Sequence, residues 1–202
     1  MTRRFARIPA AMLLALLSVG PLAGQDPQKQ DPQQEKAMME AWQKAATPGE
    51  GHKKLDALVG TFDAKVRSSV DQSRPPEDSV GTSTNSWVLG GRYVEQEFDG
   101  DFMGEPYRGI GYTGYDNVQK KFVSVWMDTA GTGMMFLTSA ADKTGKTISG
   151  SARIWDPLTE KPLPVESKII VTDNDHHSFE LWAKAPNGKM IKLMDIQYTR
   201  KK

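Results

Sequence analysis

The chain of 202 residues contains no cysteine. That absence excludes disulfides, thiol nucleophiles, thiolate metal sites and iron–sulfur clusters. Only three histidines are present. Two of them, His176 and His177, lie in "DNDHH". Adjacent residues at a strand start point to opposite faces, so the pair does not chelate one ion. Asp175 with His177 supplies two ligands where zinc takes three or four. The segment reads as a turn rich in local hydrogen bonding; no metal and no cofactor are expected, and no haem attachment motif occurs. An excess of one charge is lacking too, the formal net charge being +1. Removing the three arginines of the first 24 residues leaves −2, and no basic patch follows, so no nucleic-acid partner is expected. Long apolar runs are missing: residues 8–19 fall short of the roughly 20 residues a membrane helix needs. No G-x-S-x-G nucleophile elbow occurs, and no catalytic residue is assigned.

What is present begins with "MTRRFARIPAAMLLALLSVGPLAG". Arg3, Arg4 and Arg7 precede a short apolar stretch, and Ala23 and Gly24 close it with small residues. This is the pattern of a secretory signal peptide over 1–24, cleaved after Gly24. The mature protein is then periplasmic or secreted, with no membrane span. Phe5 directly after Arg3-Arg4 departs from a twin-arginine signal, and no cysteine follows to carry a lipid. Residues 25–33, "QDPQKQDPQ", are too polar to offset ordering entropy and read as a disordered tether.

The remaining 34–202 read as a single β-barrel domain with N-terminal helices. Asp31, Pro32 and Gln34 form a helix start. Ala37, Met38, Ala41, Trp42 and Ala45 share one face, expected to pack on the barrel or cap its mouth, and Thr47-Pro48-Gly49 ends the helix. A second short helix fits "GHKKLDALVG". After Gly60 the hydrophobic period becomes two, starting with Phe62, Ala64 and Val66. About ten short strands follow, separated by turns such as Leu89-Gly90-Gly91 and Asp173-Asn174-Asp175. With no helical pattern between them, parallel crossovers have no room. The fold class is therefore all-β: an antiparallel up-and-down barrel, whose closure removes exposed edges.

"GIGYTGYD", residues 109–116, matches the G-x-G-x-x-G spacing of dinucleotide loops. Such a loop needs a helix after it, whereas "NVQKKFVSVWMD" leads into another strand. Gly109 and Gly111 at alternate positions instead let a strand curve or another group approach, and barrel curvature is the expected use.

"HKKLDALVGTF", "WVLGGRYVEQEF", "GIGYTGYD", "FVSVWMDTAGTG" and "IQYTR" together resemble a bacterial family of exported proteins, domain-of-unknown-function family 1579, over residues 38–200. The resemblance implies a calycin-type barrel, like lipocalins and fatty-acid-binding proteins. "LVGTF" is similar to the lipocalin G-x-W opening, with Phe62 in the tryptophan's place and a short helix closing one barrel end. The resemblance supplies no catalytic residue. Fatty-acid-binding proteins hold a carboxylate with Arg-x-Tyr on the last strand. Here Tyr198-x-Arg200 reverses that order, and a solvated arginine is expected.

The barrel interior is the first candidate site. In "KFVSVWMDT", Phe122, Ser124, Trp126 and Asp128 share a face that mixes aromatic and polar groups. Tyr93, Glu95 and Glu97 share a face of "RYVEQEF". The ligand-binding residues expected are Trp126, Asp128, Tyr93, Glu95, Trp87 and Tyr198, taking a small apolar or amphipathic molecule non-covalently inside the barrel. Two other readings stand beside it. Glu95 and Glu97, about 7 Å apart along a strand, have the spacing of glycosidase carboxylates and would make an enzyme of the same pocket. A filled barrel would make a non-catalytic interaction module of the cell envelope.

Overall fold

The computed structural model describes residues 31–70, 72–157, 159–185 and 188–202. The signal peptide expected over 1–24 lies outside them. So does the tether expected over 25–33, apart from its last residues, where α1 (Pro32–Ala46) already begins. Asp31 caps that helix as its sequence suggests: its carboxylate accepts the Gln33 N–H at 2.9 Å. None of the described helices is long and apolar enough to cross a membrane.

Residues Glu40–Lys202 form one compact unit. After α2 (Glu50–Lys53) and a 3-10 turn (Asp56–Leu58) come ten strands. They are β1 (Gly60–Ser68), β2 (Glu77–Val88), β3 (Tyr93–Phe102), β4 (Glu105–Asp116) and β5 (Lys121–Asp128). Then follow β6 (Met135–Ala141), β7 (Thr147–Asp156), β8 (Lys161–Val171), β9 (His176–Lys184) and β10 (Met190–Arg200). Each pairs antiparallel with the next, and β1 pairs with β10, so the sheet closes as an up-and-down barrel. The alternation that announces the strands also sets their faces: Phe62, Ala64 and Val66 on β1 are buried, the residues between them exposed.

The two ends of the barrel differ. At the end where β1 starts, Leu55 and Leu58 of the short helical segment plug the opening against Val94, Phe122 and Ile148. Asn85 ties the plug to the wall by donating to the Leu58 carbonyl at 2.7 Å. Ser83 donates to Asn85 Oδ1, and Gln96 to Ser83 Oγ, both at 2.8 Å. Gly60 turns the chain into β1 at φ +135°, and a Cβ there would lie 2.1 Å from the Arg200 guanidinium. Only glycine fits such a backbone and such a contact.

Arg200 is not the solvated terminal residue expected. β10 pairs Arg200 with Phe62, so its side chain folds over the plugged end. It donates to the carbonyls of Val59 (2.7 Å), Ala57 (3.2 Å) and Asn174 (2.8 Å), and its guanidinium carbon sits 4.6 Å from the Phe62 ring centroid. It thereby satisfies carbonyls that the helical turn leaves open. Arg200→Met is expected to cost about 1.5–3 kcal/mol, the usual range for hydrogen bonds to a charged group. Urea unfolding with an unchanged slope would show it.

The Trp42 face of α1 does not seat as expected, since Trp42 remains 62 % exposed. The end of the helix is held instead by Asn117, whose amide donates to the carbonyls of Lys44, Ala45 and Thr47 at 3.3, 3.0 and 2.8 Å.

Candidate functional site

At the end opposite the plug, β3 and β4 run on past the end of β5, and their inner faces carry aromatic rings. Register explains how the rings fit. Gly111 pairs with Trp126 and Gly109 with Asp128. A Cβ on Gly109 would come within 2.1 Å of the Trp126 ring, and one on Gly111 within 2.6 Å. The indole therefore lies flat along β4 in the space two side chains would have filled. Close approach, rather than the curvature expected from the sequence, is what these glycines serve. Phe98 lies in the same way over Gly81 and Gly100, and Tyr107 meets Phe98 edge-on at 5.9 Å. The opposite wall is aliphatic: Ile154, Leu163, Leu181, Ile191, Leu193 and Met194 belong to one apolar cluster.

One charge faces this space from within the aromatic wall. Asp128 Oδ2 accepts from the Tyr107 hydroxyl and from Trp126 Nε1, each at 2.9 Å, and Oδ1 accepts the Ala130 N–H at 2.9 Å. Burial, and then the neighbouring Asp128 carboxylate, push the Tyr107 phenol well above its ordinary value. It stays a donor, and the carboxylate stays fixed in place.

Between these residues and the plug lies a belt of polar groups. His177 is 6 % exposed and stacks on Tyr198, ring centroids 4.4 Å apart, with the Phe62 ring edge-on at 4.7 Å. Its Nδ1 has no hydrogen-bond partner among the described residues. Burial, helped by nearby Arg200, pushes its pKa down to about 4. The buried Tyr198 phenol is pushed up to about 12.

A family model described as "Protein of unknown function (DUF1579)" matches residues 47–200, from just before α2 to the last residue of β10. The chain belongs to this family. The DUF1579 segment thus contains the plug, the whole barrel and every residue of the site, while α1 precedes it. A search of curated proteins gave no match. Among solved structures, Rv2717c from M. tuberculosis is similar at 15 % identity and TM-score 0.55, over 77 % of this chain and 100 % of that one. The S-type phycobiliprotein lyase CPES from Guillardia theta is similar at 11 % identity and TM-score 0.50, over 77 % and 99 %. Both likenesses are of fold, and the calycin-like barrel expected for the family is the one observed.

Of the six residues expected at a ligand site in this DUF1579 chain, four face inward and two do not. Trp126 and Asp128 stand together on the inner face away from the plug. Tyr198 lies deeper, in the polar belt, within reach of Gln96 at 3.5 Å. Trp87 lies at the plug, donating to Asp56 at 3.1 Å. Tyr93 and Glu95 face outward, because β3 turns Val94, Gln96 and Phe98 inward. They share no face with Trp126. Glu95 accepts the Tyr112 hydroxyl at 2.6 Å, while Glu97 pairs with Arg108 at 3.4 Å on the exposed outer wall. His176 and His177 point to opposite faces as expected: His176 is exposed beside Asp173 at 2.9 Å, His177 is buried. Among the described residues no three His, Asp or Glu side chains gather as a metal site. Sequence reasoning gave Phe98 and Tyr107 no role and weighed His177 only as a metal ligand. The pairing of Phe98 with Gly109 and of Gly100 with Tyr107 was the missing information.

Proposed function

We propose that this protein binds a small, partly apolar molecule non-covalently in the open half of its barrel. One observation carries this reading. Along the inner face of β4 and β5, burial changes from complete near the plug, where Phe122 is 2 % exposed, to partial at the other end, whereas on β8, β9 and β10 Val165, Ala183 and Leu193 remain buried and form the floor of that side. At that other end Tyr107, Trp126, Asp128, Met135, Ile154 and Leu163 all point inward yet keep contact with solvent. An inward apolar surface still wet is what a ligand covers, and small barrels take ligands at their mouths. The similarity in fold to a protein named as a phycobiliprotein lyase is in keeping with a barrel that handles another molecule. The catalytic alternative draws no support from Glu95 and Glu97, which face outward with separate partners. A second reading as an interaction module rests on Trp155 and Phe136, 70 % and 66 % exposed on the outer face of β7 and β6. We place the protein outside the cytoplasm, periplasmic or secreted, on the signal-peptide pattern. N-terminal sequencing of the cell-derived protein is expected to begin at Gln25.

The binding reading is tested with Nile red, a neutral apolar dye. Titration of the full chain is expected to saturate at one dye per chain. Ala152→Phe, at the inward position of β7 that pairs with Val165 in the aliphatic cluster, is expected to weaken binding about tenfold or more, about 1.4 kcal/mol. Met135→Trp, on the inner face beside Trp126, should do the same. Unsaturable binding, or folded variants that bind as the parent does, overturns the reading.

A further inference from the structure

We infer that the molecule held in this barrel is an amphiphile with a cationic head, an amine or quaternary ammonium on an apolar body. This rests on the binding reading above and names the chemistry of its ligand.

The first reason is the state of Asp128. Its three donors, the Tyr107 hydroxyl, the Trp126 indole and the Ala130 amide, are all neutral. They fix the carboxylate without cancelling its charge. Among the described residues no lysine, arginine or histidine pairs with it, whereas Glu77, which also faces inward nearer the rim, is paired with Arg74 at 3.2 Å. A neutral ligand seated here would take water from an ion without matching its charge, which weakens its binding. An anionic ligand would add repulsion. A cation would neutralise it.

The second reason is the wall around it. Because the indole lies flat on Gly109 and Gly111, Trp126 turns the face of its ring inward; part of that ring packs against the buried cluster of Val66, Phe98 and Ile196, and the rest stays partly exposed. Phe98, Phe102 and Tyr107 cluster beside it, Phe102 lying 5.8 Å from Tyr107. Ring faces carry negative electrostatic potential and attract ammonium groups, Trp most strongly. Carboxylate and ring faces thus favour the same sign of charge from neighbouring positions. Across the space, Ile154, Leu163 and Met194 offer only hydrocarbon and thioether. A head group at Asp128 and an apolar body on β7, β8 and β10 uses both walls.

The experiment compares decylamine, decanol and decanoate, matched in chain length, by calorimetry below their aggregation concentrations. The amine is expected to bind about tenfold more tightly than the alcohol, with decanoate weakest. Added salt should shrink that advantage. Asp128→Asn keeps an acceptor for Tyr107 and Trp126 but removes the charge, and is expected to bring the amine to the alcohol's affinity. If alcohol or acid binds the parent protein as well as the amine does, the cationic inference fails while the binding reading stands. It fails equally if Asp128→Asn folds and leaves the amine's advantage intact. If none of the three binds, the binding reading itself fails.

Discussion

Phe62→Ala is expected to remove about 3–5 kcal/mol of folding stability, the range for truncating a fully buried Phe. Phe62 is 0 % exposed and stands where β1 meets β10. One ring edge meets His177 at 4.7 Å, Tyr198 lies at 6.4 Å, and the Arg200 guanidinium covers it at 4.6 Å. Truncation leaves a cavity beneath a charged group whose hydrogen bonds to the plug carbonyls depend on that seat. The surroundings cannot collapse into it, because rigid strands define the space on every side. Urea unfolding should show a lower midpoint at unchanged slope. Trp155→Ala, at a residue 70 % exposed, is expected to stay within about 0.5 kcal/mol of the parent. Equal effects from the two would mean that the seam contributes no more than the surface does.

Acid is expected to weaken the fold through His177. Its pKa falls from an ordinary 6.5 to about 4 in the folded chain, burial being the main cause and Arg200 the second. The folded state thus favours the neutral imidazole. Its contribution is complete above the unfolded value and is lost as pH drops from about 6.5 to 4, where the unfolded chain binds the proton first. The loss amounts to about 3 kcal/mol by linkage. His52, also lowered by burial, acts in the same direction. Carboxylates held low, such as Asp195 and Glu180 beside Lys192, also weaken the fold in acid. Their loss comes lower, as pH falls through carboxylate values. His177→Phe keeps an aromatic ring against Tyr198 but cannot titrate. Its stability measured from pH 7.5 to 4 is expected to decline much less than the parent's, and parallel declines would show that His177 is not the group responsible.

The barrel was legible in the chain because the signal is redundant. Alternation recurs in strand after strand, and turn residues punctuate it; an error in one segment would not have changed the answer. The inward face of β5 could be read for a similar reason, since Val123, Val125 and Met127 left Phe122, Ser124, Trp126 and Asp128 as the mixed face. β3 gave no such contrast. Its inner face carries Gln96 between Val94 and Phe98, and its outer face carries Tyr93, so composition favours neither assignment. Only pairing with β4 decides it, through neighbours that lie some distance along the chain. Arg200 was misread because its partners, Ala57 and Val59, belong to a helical turn far away in sequence. The glycines of "GIGYTG" lead into a strand as expected, yet the ring that lies against them, Trp126, comes from that next strand.

The seam between β1 and β10 has a bearing on how the protein comes to be made. Arg200 meets Val59 across 141 residues, so the cylinder cannot shut until nearly all of its chain has emerged. Until then β1 presents a bare edge to whatever lies nearby. Topologies dominated by such distant contacts fold slowly and expose partly built sheet meanwhile. The last strand is thus the one on which both the timing of assembly and protection from misassociation depend.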